Sequence, residues 1–277
     1  MKYRSYIILI ILLSNFSTFA KPVIVTSTNI MGSIITMLTG DTAEVVVIST
    51  SIGCPHDYNL KPSDKDSILG ADMIVYIDDS FDGYMAKLSE DFKGKVVKIS
   101  DLSSLNFTEE TGMQNWHFWL NLNNIMIISD QLSDILSKTF PTLSANIDKN
   151  KDQALKNIET LISKKQSQLA GIENIVIVSD SLGQLFLDTD KRVTKIYVQN
   201  FASLKDYYTA QHILKNKEIN HCILMDANAD DKMYLRYNKK IVKINSENWD
   251  NLPTNDGQQF FFDSYNNIID KVKECSK

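Results

Sequence analysis

Short apolar runs rich in β-branched residues alternate along the chain with stretches in which apolar residues recur every three or four positions. The first pattern is typical of strands buried in a parallel sheet, and the second is typical of amphipathic helices. The eight predicted strands fall into two groups, at 22–26, 44–48, 73–77 and 95–99, then at 174–178, 193–198, 222–225 and 240–244. The pattern therefore predicts an α/β fold with two lobes, each with a four-stranded, mainly parallel sheet flanked by helices.

One long helix is predicted between the two groups of strands. Its apolar residues recur at helical spacing, at Leu143, Ile147, Ala154, Ile158, Leu161 and Leu169. The lysines, Asp and Gln between them predict a second face in water. Pro141 suits the first turn and Gly171 suits the end. We therefore expect an N-terminal lobe over 21–140, a connecting helix over 141–171 and a C-terminal lobe over 172–277.

The first twenty residues have the layout of a secretory signal. Lys2 and Arg4 supply a positive start, an unbroken apolar run follows at 6–13, and small residues stand at Thr18 and Ala20. The apolar run is too short to span a bilayer. We therefore expect a signal peptide over 1–20, cleavage after Ala20 and export.

The formal net charge is −5 at pH 7, from 29 basic and 34 acidic residues. Removal of the predicted signal takes away two basic residues and no acidic one, so the exported protein is more acidic still. This balance argues against nucleic acid or anionic lipid as a partner and is compatible with attraction of a cation. Three cysteines in an oxidising compartment allow one disulfide and leave one thiol over.

Two of the four histidines lie where a metal could bind. His56 lies in a loop after the second predicted strand, and ligands of α/β lobes gather at the carboxyl ends of strands. His117 lies among aromatic residues that would shield a metal from water. Either histidine alone is more often structural than a ligand, and His212 and His221 are expected to be structural.

Asp226 follows directly after the apolar strand at 222–225. This position predicts a carboxylate at the edge where the second lobe faces the first, and therefore a third metal ligand. The alternative is that Asp226 caps the turn that follows it.

The run CPHDYNLKPSD at 54–64, followed by Ala71 and Asp72, resembles the first ligand motif of the metal receptors of ATP-driven zinc and manganese importers. The run HFWL at 117–120 resembles the second motif of these ABC-type solute-binding proteins. The resemblance covers essentially the whole exported chain, and it implies that His56 and His117 are metal ligands.

The resemblance also implies the function. It implies a periplasmic, monomeric receptor without catalytic activity, which captures zinc, or alternatively manganese or iron, and hands the ion to a membrane permease. Receptors of this kind in Gram-negative bacteria pair a cysteine of a second-lobe strand with one near the carboxyl terminus. The corresponding pair is Cys222 with Cys275, and Cys54 would remain a free thiol.

The chain departs from the family pattern at two ligand positions. Ser179 occupies the place of the third histidine, and Asn245 occupies the place of the final carboxylate. Hydroxyl and amide groups are poor zinc ligands compared with imidazole and carboxylate. Asp180, Asp226, water or Cys54 could complete the ligand set, and Asp226 is favoured because it ends a strand of the second lobe.

Two other functions remain open from the sequence. One is a zinc hydrolase that uses His56, His117 and Asp226 around a metal with an open position. The other is a degenerate receptor scaffold with weak metal binding, used for adhesion or metal buffering, for which Ser179 and Asn245 are the sequence support.

Overall fold

The computed structural model describes residues 20–49, 58–108, 114–172, 174–190, 193–196, 204–216, 222–247, 249 and 257–276. The predicted signal peptide, apart from Ala20, lies outside these residues, and so do His56, Cys54 and His221. Within the described ranges, no helix combines the length and the apolar character needed to cross a membrane.

The described strands form two four-stranded sheets in which every pairing is parallel. The first has the order β2-β1-β3-β4, from β1 Val23–Thr28, β2 Glu44–Ser49, β3 Met73–Tyr76 and β4 Lys95–Lys98. The second has the order β6-β5-β7-β8, from β5 Ile175–Ile177, β6 Thr194–Lys195, β7 Cys222–Asp226 and β8 Lys240–Ile244. The predicted α/β fold with two four-stranded parallel sheets is confirmed.

Helices flank both sheets. Their bounds are α1 Asn29–Thr39, α2 Pro62–Leu69, α3 Gly83–Ser89, α4 Leu122–Thr139, α5 Ser144–Leu169, α6 Leu204–Lys215, α7 Lys232–Leu235 and α8 Gly257–Lys273. A short 3-10 helix, Phe118–Leu120, precedes α4, and another, Asp180–Phe186, follows β5.

The long helix α5 follows a 3-10 turn, Pro141–Leu143, and has 26 residues, which corresponds to about 39 Å. It packs against α4, α1 and α8. Of the predicted apolar positions, all but the half-buried Leu143 are buried. The expectation that its lysines face water is wrong at Lys165, whose side chain is only 3% exposed.

Helix α8, at the end of the chain, packs on α1 of the first lobe as well as on α5. One apolar cluster therefore runs without a break through both lobes, from Ile24 near the start to Val272 near the end. A core shared in this way holds the two lobes together and disfavours a wide hinge opening between them.

The predicted disulfide between Cys222 and Cys275 is present, with a Cα–Cα distance of 5.5 Å. Cys222 begins β7, and Cys275 lies in the short turn Glu274–Ser276 after α8. The bond therefore ties the carboxyl-terminal helix to an inner strand of the second sheet.

Candidate metal centre

The segment from Asn115 to Leu122 connects the first sheet to α4 and lies directly against the second lobe. Side chains of both lobes hold it there through hydrogen bonds, from Asn115 Nδ2 to Asp180 O (2.8 Å), from Gln184 Nε2 to Asn115 O (3.3 Å), from Trp119 Nε1 to Ser246 O (2.8 Å) and from Tyr265 Oη to Leu120 O (2.6 Å). This segment carries His117, so the histidine predicted as a ligand lies at the junction of the two lobes.

Asn115 fixes the orientation of the His117 ring. The Asn115 Oδ1 atom accepts the backbone N–H of His117 at 3.0 Å and lies 2.8 Å from its Nδ1. Since Asn115 Nδ2 donates to a carbonyl of Asp180, the oxygen of the amide is the atom that faces the ring. Nδ1 therefore carries a proton, and Nε2 points toward the second lobe, as in histidines whose second nitrogen binds a metal.

Glu247 of the second lobe meets this nitrogen, with Oε1 at 2.6 Å from His117 Nε2. The two side chains are 16% and 21% exposed, so the pair is accessible but not freely solvated. Glu247 is absent from the residues predicted from the sequence. The available signal was its position, since it is an acidic residue two places after Asn245 in the loop that follows β8.

Aromatic rings enclose the His117 ring on the side of the first lobe. The rings of Phe81 and Trp119 present edge-to-face contacts to it, with centroid distances of 6.2 and 5.1 Å. Both rings are almost fully buried. Exclusion of water by these rings lowers the local dielectric, which strengthens the attraction between a cation and the carboxylate beside it.

Asp226 lies at the carboxyl end of β7, as predicted, and its carboxylate is engaged within the second lobe. Its Oδ1 accepts the backbone N–H of Asn228 at 2.9 Å, and its Oδ2 accepts both the backbone N–H and the hydroxyl of Ser246. The backbone N–H of Asp226 donates to Ser179 Oγ at 2.9 Å. Asp226 and Ser179 therefore form part of the hydrogen-bond network beneath the loop that carries Glu247.

The other predicted positions of the second lobe lie at the surface. Asp180 is exposed, and its Oδ1 accepts the backbone N–H of Ser181 at the start of the short helix. Asn245 is exposed and lines a surface cavity of about 260 Å³ together with Trp249 and Lys271. Among the described residues, no three His, Cys, Asp or Glu side chains are grouped so that they could hold a metal. The metal ligands remain predictions, because His56 lies outside those residues.

The residues that follow His56 in its motif, from Tyr58 to Asp64, hold the start of α2 in place. The Asp64 carboxylate accepts the hydroxyl of Tyr58 at 3.0 Å and the backbone N–H of Lys61 at 2.7 Å, which fixes the start of α2. Burial, followed by the bond to Asp64, raises the pKa of Tyr58 to about 12, so its hydroxyl stays a donor. The Tyr58 ring also packs against Tyr84. The chain is thus anchored two residues after His56.

Three comparisons place the chain among known proteins. The family described as ZnuA, zinc-uptake complex component A, periplasmic, matches residues 24–275. The protein named Uncharacterized protein RP014 of Rickettsia prowazekii (strain Madrid E) is 34% identical over 270 residues, which cover 97% of this chain and 88% of that protein. The high-affinity zinc uptake system protein ZnuA of Haemophilus ducreyi is 20% identical over 187 residues, which cover 57% of this chain and 60% of that protein.

Solved structures show the same fold. The Cd-bound and Mn-bound forms of a periplasmic metal binding protein of candidatus Liberibacter asiaticus each superpose with a TM-score of 0.74 at 18% identity. The match covers 93% of this chain and 100% of that one.

Proposed function

We propose that this chain, which belongs to the family of the periplasmic zinc-uptake complex component A, captures zinc and delivers it to the permease of an ABC importer. The family consists of metal-binding substrate receptors for transport and not of enzymes. The hydrolase considered from the sequence is therefore excluded. The proposal concerns the identity of the ion, its ligands and its delivery.

The observation that carries the proposal is the presentation of His117. Its ring is oriented by Asn115, enclosed by buried aromatic side chains, and directs Nε2 at a carboxylate of the other lobe. An imidazole whose Nδ1 is held by an amide oxygen and whose Nε2 lies next to a carboxylate offers one nitrogen and one oxygen donor of the kinds that zinc binds. We propose His56 as the second ligand of the first lobe, on the strength of the motif around it.

Zinc is preferred over manganese for a chemical reason. Imidazole nitrogen suits zinc well, whereas sites for manganese are richer in carboxylate and carbonyl oxygen. The relatives include a zinc uptake protein and proteins that bind manganese or cadmium. Because the family ligands at Ser179 and Asn245 are missing, we expect an affinity below that of a four-ligand site.

Delivery requires a partner at the membrane. As in the family, we propose that the receptor acts in the periplasm as a monomer and that its partner is the permease of the importer. The core shared by the two lobes favours small local movements at the metal centre over wide opening of the lobes. Metal uptake would then depend on rearrangement of loops near His117.

Calorimetry on the protein tests this function. The full chain is expressed in a host that exports it, purified from the periplasm, stripped of metal and titrated with zinc, manganese and iron(II). We expect binding of zinc, and loss of at least about 100-fold in affinity for His117→Ala, since second-shell partners alone change affinity by about 10- to 100-fold. His212→Ala is the matched control, because His212 is an exposed residue of α6. Absence of binding with all three ions, or an unchanged affinity of His117→Ala, would contradict the proposal.

A further inference from the structure

We infer that Glu247, and not Asp226, is the carboxylate with which the second lobe binds the metal. The inference rests on the proposed metal capture at His117 and names a ligand that lies outside the family motif. It concerns the ligand position that Asn245 leaves without a charge.

The distance between Glu247 and His117 suits an ion that enters between them. Zinc bonds of about 2.0–2.2 Å in tetrahedral geometry place two ligand atoms about 3.4 Å apart. The present separation of His117 Nε2 and Glu247 Oε1 is 2.6 Å. The ion therefore requires the pair to open by less than about 1 Å, which rotation of the Glu247 side chain can supply without movement of the lobes.

Asp226 is poorly suited to the same role. Both oxygens of its carboxylate already accept hydrogen bonds, from Asn228 and from Ser246, and the residue is 8% exposed. Within the described part of the chain, Asp226, His117 and Glu247 are not grouped closely enough to hold one metal ion together. Binding of an ion by Asp226 would leave hydrogen-bond donors of the Ser246 loop unsatisfied, which is costly in a buried site.

The network around Ser246 explains how Glu247 is positioned. The Ser246 hydroxyl contacts the carboxylate of Asp226 and lies 3.0 Å from Ser181 Oγ. The Ser246 carbonyl accepts the indole N–H of Trp119 at 2.8 Å. The backbone directly before Glu247 is thus fixed by both lobes, and Asp226 is a positioning residue.

Asn245 stands where the family has a carboxylate ligand, and an acidic residue slightly farther along the same loop can take over that role. The acidic group lies two positions after Asn245, and a glutamate is one methylene longer than an aspartate, so it can reach a centre from a backbone position farther along the loop. The described part of the site would then offer zinc the imidazole nitrogen of His117 and one carboxylate oxygen of Glu247, both of which are zinc donors.

The experiment compares Glu247→Gln with Asp226→Asn in the protein purified from the periplasm. Zinc affinity is measured by calorimetry, and the visible absorption of the cobalt(II)-substituted protein reports which atoms bind the ion. We expect Glu247→Gln to lose at least about 10-fold in zinc affinity and to change the cobalt spectrum. Asp226→Asn should lower the melting temperature and weaken zinc binding less than Glu247→Gln does, because Asp226 only positions the loop, and the cobalt spectrum should keep the wild-type bands because the ligand atoms are the same. Glu159→Gln, an exposed residue of α5, is the matched control.

The outcomes separate this inference from the proposed function. If the wild type binds zinc and Glu247→Gln keeps both affinity and spectrum, the role of Glu247 is overturned while metal capture stands. If Asp226→Asn alone changes the spectrum, Asp226 is the ligand and the inference is wrong. If the wild type binds no metal, the proposed function is wrong, and the role of Glu247 as a metal ligand is wrong with it. Should Asp226→Asn not fold, the spectrum of Glu247→Gln still decides the question.

Discussion

Asn115 and His117 form a paired contact in which one amide oxygen accepts two hydrogen bonds from the histidine, from its backbone N–H at 3.0 Å and from Nδ1 at 2.8 Å. The amide nitrogen of the same Asn115 side chain donates to the carbonyl of Asp180 in the second lobe. A single side chain therefore couples the orientation of the imidazole to the position of the other lobe.

Loss of the Asn115 side chain should weaken metal binding while the ligands remain in place. Without its acceptor, the His117 ring is free to rotate or to adopt the other tautomer, and we expect Asn115→Ala to lower zinc affinity by about 10- to 100-fold. Calorimetry measures the change. Asn123→Ala, at an exposed position of α4, should bind zinc like the wild type. Equal affinities for the two variants would show that Asn115 does not orient the ligand.

The disulfide should contribute to stability without affecting the metal centre. Cys222 and Cys275 are 53 residues apart, and closing a loop of this length stabilises the folded state by about 4 kcal/mol in the chain-entropy model. We expect the double variant Cys222→Ala with Cys275→Ala to lose about this free energy of unfolding in urea and to keep its zinc affinity. A reducing agent should lower the stability of the wild type and leave the double variant unchanged. A double variant as stable as the wild type would refute the estimate.

The fold was predictable because its signals are local. β8 has the predicted bounds, Lys240–Ile244, since a short run rich in β-branched residues between polar turns specifies a strand by itself. The buried face of α5 was predictable from helical spacing for the same reason. The periodicity did not predict burial of Lys165, because the groups that accept its hydrogen bonds come from distant parts of the chain.

The candidate metal centre was predictable only in part. His117 belongs to a short motif, so its neighbours in sequence identify it. Glu247 is 130 positions away from His117, and only the packing of the two lobes brings them together. The sequence pattern instead favoured Asp226, which does lie at the predicted strand end but directs its carboxylate at Ser246.

The buried carboxyl group of Asp82 should make stability depend on pH. Its oxygens accept the backbone N–H groups of Ile77 and Asp78, each at 2.8 Å, but burial outweighs these bonds and raises the pKa of Asp82 from its ordinary 3.8 to about 6. The folded chain therefore binds this proton more tightly than the unfolded chain does. The resulting stabilisation is complete below pH 3.8 and is lost as the pH rises through about 6.

Urea unfolding of the metal-free wild type and of Asp82→Asn, at pH 4 and at pH 7, measures this effect. Comparison of the two proteins removes the contributions of all other titrating groups. We expect the stability advantage of the wild type to be larger at pH 4 than at pH 7 by about 2 kcal/mol, which is most of the roughly 3 kcal/mol that a shift of about two pKa units supplies, because pH 4 lies just above the pKa of the unfolded chain. An advantage that is equal at both values, or larger at pH 7, would contradict the assigned pKa.

Lys165 of α5 and Asp188 form a buried ion pair, with side chains 3% and 0% exposed. Lys165 also donates to Tyr265 Oη at 3.0 Å, and the Asp188 carboxylate accepts the backbone N–H of Leu122 at 2.9 Å, so the pair joins the connecting helix to both lobes. Removal of either partner leaves an uncompensated buried charge.

Lys165→Met and Asp188→Asn should therefore each lower the free energy of unfolding by about 3–5 kcal/mol, whereas the double variant should lose clearly less than the sum. Urea denaturation of the four proteins gives the coupling energy. The matched control is the exposed pair of Lys271 and Glu274, 2.8 Å apart with side chains 56% and 41% exposed, whose alanine cycle should give a coupling below about 0.5 kcal/mol. Additive losses at Lys165 and Asp188 would mean that the two charges do not compensate each other. Coupling at the buried pair alone would show that the two charges compensate each other where the connecting helix meets both lobes.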